Sequence, residues 1–130
     1  MSDRRRRVML DSNVVTYAAS DPGGPHATFV RAADPVVAAI LPIEVLGYHR
    51  ITAAERTALE ALLAGFAVLP PNDAMVVRAI TLRQARKMSL GDSIIAVTAL
   101  EYRLPLATRN VADCRWISAL EVIDPATPDP

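Results

Sequence analysis

Short runs that are apolar along nearly their whole length recur through this sequence, at 7–10, 36–40, 67–70, 104–108 and 120–123. Longer stretches with helical character separate them. A strand with one wet face alternates apolar and polar residues, whereas one that is apolar throughout is covered on both faces. Strands of that kind, alternating with helices, predict an α/β fold. It is a single-domain, three-layer α/β/α sandwich with a central, mostly parallel sheet. Right-handed crossovers then carry the C-terminal ends of the strands to one edge, where open α/β sheets bind their ligands.

The segments between the runs have their own signals. A helix is expected over 12–19, followed by the turn residues Asp21-Pro22-Gly23-Gly24-Pro25 and a short helical stretch over 27–33. Pro42 suits the first turn of a helix that also carries Glu44. Residues 52–65 read as a helix with Thr52 and Glu55 spaced as a capping box and Leu59, Leu62, Leu63 and Phe66 as its apolar stripe. Asn72 or Asp73 caps a helix to residue 87. Gly91 is read as a break, Asp92 as the opening of a helix to residue 102, and 112–118 as a short helical turn. The domain is expected to span 1–124, with the proline-rich 125–130 as a frayed tail.

Composition narrows the function classes. Fourteen basic and fourteen acidic residues leave no net charge, which argues against a protein wrapped non-specifically in nucleic acid. Lys87 is the only lysine, and guanidinium groups, which can grip phosphate in two places, supply every other cation. No apolar run approaches the roughly 18 residues of a membrane span. A single cysteine, Cys114, can form no internal disulfide and fits a reducing, cytoplasmic compartment.

The chemistry lies in the acids. Asp11 follows the first apolar run, Glu44 lies just after the second, Asp92 begins the helix before the fourth, and Asp113 comes shortly after it. Any one of them is an ordinary cap or surface residue. Together at one sheet edge they repel, and such a cluster calls for a hard divalent cation, Mg2+ or Mn2+. His26 and His49 lack ligand spacing and read as surface or packing residues, so no zinc site competes.

Four pieces of the chain carry a resemblance: Leu10-Asp11-Ser12-Asn13, Pro42-Ile43-Glu44-Val45-Leu46-Gly47, Ser89-Leu90-Gly91-Asp92-Ser93-Ile94-Ile95-Ala96, and Thr108-Arg109-Asn110-Val111-Ala112-Asp113. In this order the chain resembles PIN-domain proteins, and more narrowly VapC-type toxin ribonucleases of type II toxin–antitoxin pairs. The resemblance implies divalent-metal-dependent endonucleolytic cleavage of RNA, with Asp11, Glu44, Asp92 and Asp113 as the catalytic acids. Asp11 and Asp92 hold the metal, and Glu44 and Asp113 act partly through water. Ser12, Asn13, Thr108 and Asn110 take the supporting polar positions. The chain departs from the family at Cys114, where an aromatic residue often follows the last acid.

Arg109, Arg86 and Lys87 are the candidate RNA contacts, whereas the run from Arg4 to Arg7 reads as a solvated N-terminal stretch. A homodimer and a small antitoxin partner are implied by the resemblance. Tyr17, Phe29, Leu46, Tyr48 and Ile51 are candidates for an apolar groove or for core. Alternatives are a non-catalytic PIN-like RNA-binding module and a Mg-binding receiver domain, which needs a lysine near the last strand. A phosphatase with an Asp nucleophile needs a second Asp where Asn13 stands.

Overall fold

The computed structural model describes residues 5–127. Five parallel strands lie in the order β3-β2-β1-β4-β5: β1 (Arg7–Leu10), β2 (Asp34–Ala38), β3 (Ala67–Leu69), β4 (Leu106–Ala107) and β5 (Val122–Ile123). Between them run α1 (Ser12–Ser20), α2 (Pro25–Ala32), α3 (Ile40–Leu46), α4 (Ala53–Leu63), α5 (Asp73–Ala85), α6 (Leu90–Glu101) and α7 (Val111–Cys114). The sheet is parallel throughout and covered on both faces at β1, β2 and β4, whereas the edge strand β3 is largely exposed despite its apolar run, with Val68 half open to solvent.

Alternate residues of each strand serve opposite layers. Val8, Leu10, Val37 and Ala107 point to one face, where Val14 and Val15 of α1, Val30 of α2 and Leu59 of α4 close over them. Met9, Val36, Ala38 and Leu106 point to the other, against Ile95 and Ala99 of α6. Met75 and Ala79 then fix α5 to α6 at Val97. Leu10, Met9, Ile95 and Leu106 are fully buried, each worth about 1.5–3 kcal/mol over an exposed side chain.

Several boundaries differ from expectation for identifiable reasons. β2 begins at Asp34 rather than 36, although Pro35 has no N–H. Asp34 N donates to Arg6 O, so the Pro35 nitrogen faces the β3 side, where pairing starts only at Val36. Its end retreats to Ala38 because the backbone turns helical at Ala39. The helix over 73–87 stops at Ala85, and Arg86 is extended.

Gly91 does not break the chain. Ser89 caps α6 by accepting from Asp92 N at 3.1 Å, so Gly91 and Asp92 both lie in its first turn. The Thr52–Glu55 capping box is formed as expected, with Thr52 N donating to Glu55 Oε1 at 2.9 Å and Glu55 N to Thr52 Oγ1 at 3.1 Å. At the far end, Pro125 is buried and Asp124 accepts from Ala126 N, while residues 128–130 of the expected tail lie outside the described residues. Among the described residues, no helix is long and apolar enough to cross a membrane.

Candidate active site

The strand order reverses direction between β1 and β4, and the crevice beyond their C-terminal ends is where a doubly wound sheet places its ligands. Asp11 stands at that point. It caps α1, and its Oδ1 accepts from Ser12 N at 2.8 Å. From the neighbouring strand, Thr108 Oγ1 donates to Asp11 Oδ2 at 2.7 Å and itself accepts from Asn110 N at 3.0 Å. Arg109 N donates to Asn13 Oδ1 at 3.3 Å. The supporting positions Ser12, Asn13, Thr108 and Asn110 thus clasp the start of α1 to the loop after β4.

Asp11, Asp92 and Asp113 line one cleft of about 800 Å³. Each comes from a different helix: Asp11 from the cap of α1, Asp92 from the first turn of α6, Asp113 from α7. Glu44 is not in the cleft lining. It reaches Asp92 from the α3 side, where its carboxylate lies over the Cα of Gly91. A Cβ at Gly91 would stand 2.1 Å from Glu44 Oε2.

Electrostatics links Asp11, Glu44 and Asp92. Only 6% of Asp11 is exposed, and this burial pushes its carboxyl above the usual range. The hydrogen bonds from Thr108 and Ser12 oppose the rise, and the charge of Asp92 adds to it. Burial also raises Glu44, and Asp92 and then Asp11 raise it further. The Cys114 thiol faces the same cleft and is pushed up to about 11 by burial and by Asp11, Asp92 and Asp113. Among the described residues, ion pairs join Arg6 to Glu121, Arg7 to Asp34 and Arg56 to Glu60, and none reaches these acids.

No three His, Cys, Asp or Glu side chains among the described residues form a ready cage for a metal ion. Asp11, Glu44 and Asp92 nevertheless share one field, and no ion pair neutralises any of them among the described residues. As hard oxygen donors, Asp11 and Asp92 would suit Mg2+ or Mn2+, an ion that keeps several of its waters and so needs few protein ligands.

The basic candidates divide. Arg83, Arg86 and Lys87 line the cleft that holds Asp11, Asp92 and Asp113. The Arg109 guanidinium is outside that lining and lies 3.9 Å from the ring centre of Tyr17 on α1. Arg6 and Arg7, at the N-terminal end of β1, pair with Glu121 and Asp34 at the edge away from the acids, and Arg4 lies outside the described residues. His26 is buried against Tyr17, a packing role, and His49 is exposed. Phe29, Leu46 and Ile51 pack on the core, while Tyr17 and Tyr48 stay exposed.

Sequence reasoning missed two residues. Ser89 was legible, because Ser-x-x-Asp at 89–92 is a helix-start pattern. Trp116 had no spacing signal. It lines the cleft with Arg86 5.3 Å above its ring.

Comparison with known proteins agrees with this fold. The model of the PIN domain matches residues 8–112. No curated protein has a matching sequence. Among solved structures, the chain is similar to one in a toxin–antitoxin complex from Klebsiella pneumoniae. The two are 26% identical, with TM-score 0.72, over 91% of this chain and 97% of that one. It shares its fold with a chain of VapBC2 from Rickettsia felis bound to a promoter DNA fragment. There the identity is 16% and the TM-score 0.76, over 90% and 97% of the two chains. VapBC-1 from nontypeable Haemophilus influenzae gives 22% identity and a TM-score of 0.74, over 93% and 99%. With the family model covering most of its length and the acids gathered at the switch point of the sheet, the chain belongs to the PIN-domain family.

Proposed function

We propose that this protein is a divalent-metal-dependent endoribonuclease, the toxin of a toxin–antitoxin pair, acting in the cytoplasm. The observation that carries the reading is the cleft itself: Asp11, Asp92 and Asp113 together with Arg83, Arg86 and Lys87. Acids alone would repel a polyanion. Acids with cations beside them hold a phosphodiester next to a carboxylate-bound metal.

Asp11 and Asp92 would hold the ion, with Glu44 and Asp113 assisting partly through water. When bound, Mg2+ or Mn2+ would supply an acidified water and positive charge against the phosphoryl oxygens. The protein supplies the placement. Thr108 and Ser12 fix the two oxygens of Asp11, so that the carboxylate presents one orientation. Glu44 and Asp113 accept hydrogens from the attacking water and set its direction. Arg83 and Lys87 hold the flanking phosphates.

The small antitoxin would dock beside the acids. Ile43 on α3 and Tyr48 just after it are 71% and 51% exposed, on the element that also carries Glu44. A second apolar surface, with Val76 and Ile80 of α5 and Leu90 of α6, is left for a second copy of this chain.

The test is incubation of the purified protein with defined RNAs, with and without Mg2+ or Mn2+, and mapping of the cut ends. Asp92→Asn is expected to lose cleavage by about 100-fold or more, some 3 kcal/mol of barrier, with the fold retained. Without metal its Tm should rise, because repulsion of Asp11 and Glu44 is relieved. Full activity in that variant would remove the assignment.

A further inference from the structure

Trp116 is the only tryptophan in the chain, and it stands in the cleft rather than in the core. It is half-buried, and its indole N–H donates to Asp113 O at 2.9 Å. That bond anchors the ring to the backbone of one of the cleft acids. The ring belongs to none of the apolar cores formed by the described residues. What lies over its face is the exposed guanidinium of Arg86, 5.3 Å from the ring centre. A tighter stack is available to an arginine in this same protein, since Arg109 sits 3.9 Å from Tyr17.

We propose that Trp116 is a base-stacking platform, on which one unpaired base of the bound strand splays onto the indole beside the phosphate to be cut. The proposal rests on the RNA-cleaving reading above. An anchored aromatic face next to a row of cations is how proteins hold single strands, because each base has a π-face and each link has a phosphate. Arg86 keeps the ring covered until the base arrives and then moves to the adjacent phosphate, while Arg83 and Lys87 hold the strand on either side. A paired duplex cannot offer such a base without unstacking it.

The two residues therefore make separable contributions. Trp116 contributes stacking, which is indifferent to salt; Arg86 contributes a grip on phosphate, which is not.

The experiment uses the whole protein in chelator, so that binding proceeds without cleavage, with a short oligoribonucleotide and the duplex of the same sequence as probes. Emission from Trp116 is expected to be quenched in a saturable way by the single strand and far less by the duplex. Trp116→Leu should weaken single-strand binding by about five- to a hundredfold with an unchanged salt slope, and Trp116→Phe should restore most of it. Arg86→Ala should weaken binding and flatten the slope by about 0.7. With Mg2+ added, KM of the leucine variant should rise more than its kcat falls.

RNA that binds without changing the emission, or a leucine variant that binds and cuts like the parent, overturns the platform and leaves the nuclease reading standing. Quenched, tryptophan-dependent binding with no metal-dependent cutting supports the platform and defeats the nuclease reading. A protein that binds no RNA overturns both. Circular dichroism of each variant separates lost binding from lost fold, and the quench is read on the unaltered chain.

Discussion

Thr108 Oγ1 and Asp11 Oδ2 are 2.7 Å apart although 97 residues separate them in the chain. The bond joins the ends of β1 and β4 and holds a buried carboxylate by the oxygen that Ser12 leaves free. Thr108→Val keeps the shape and removes the donor. A charged acceptor left without its partner costs about 1–3 kcal/mol, and the Asp11 carboxyl should rise further. Chemical denaturation should show the stability loss, and the cleavage profile should shift towards higher pH. An unchanged pH profile would mean that Thr108 packs but does not tune.

Burial and Asp92 hold Asp11 above its ordinary range, and burial, Asp92 and Asp11 do the same for Glu44. The folded protein then keeps protons that the unfolded chain would already have released. Stability from these groups is fully present below their unfolded values and is lost as pH rises through the folded ones. In chelator, Tm should fall from acid towards neutral pH across that window. Asp11→Asn should flatten the fall, so its advantage over the parent grows as pH rises. Parallel curves would show that Asp11 does not carry the effect.

Gly91 gives Glu44 its room. A methyl group there would meet Glu44 Oε2 at 2.1 Å, and the carboxylate, at the end of a flexible side chain, must swing away. The same change favours a helix by about 1 kcal/mol. Gly91→Ala should therefore leave thermal stability equal or higher while lowering cleavage, as measured by melting and by initial rates on one preparation. Undiminished activity would show that the position of Glu44 is not critical.

Arg83 and Lys87 line the cleft of the acids, although Arg83 also donates to Met88 O at 3.3 Å. Replacing either by Ala should weaken RNA binding and reduce the log–log salt slope by about 0.7 for each phosphate no longer neutralised. Binding at several salt concentrations decides it. Replacing Arg109, which is engaged with Tyr17 outside the cleft lining, should leave the slope unchanged.

Much of what depended on local pattern was legible in the chain. The bounds of β1, the parallel sheet and the Thr52–Glu55 box all rest on signals a few residues long. The Gly91 misreading came from treating glycine as a breaker when its neighbour Ser89 was already a cap. The fine division of the site was beyond such reasoning. Nothing near Arg109 in sequence announces Tyr17, and nothing near Glu44 announces that its carboxylate approaches Asp92 over a bare Cα. Trp116 escaped for the same reason, since Arg86, the residue over its ring, comes from thirty residues earlier.

The order of the strands has a temporal consequence. β1 is synthesised first, yet its second neighbour, β4, leaves the ribosome only after most of the chain. Until then Asp11 lacks the Thr108 hydroxyl, and its strand lies open on one side. On the proposed reading, a nascent or truncated polypeptide lacks this clasp on Asp11, so its site stays incomplete until translation is nearly done.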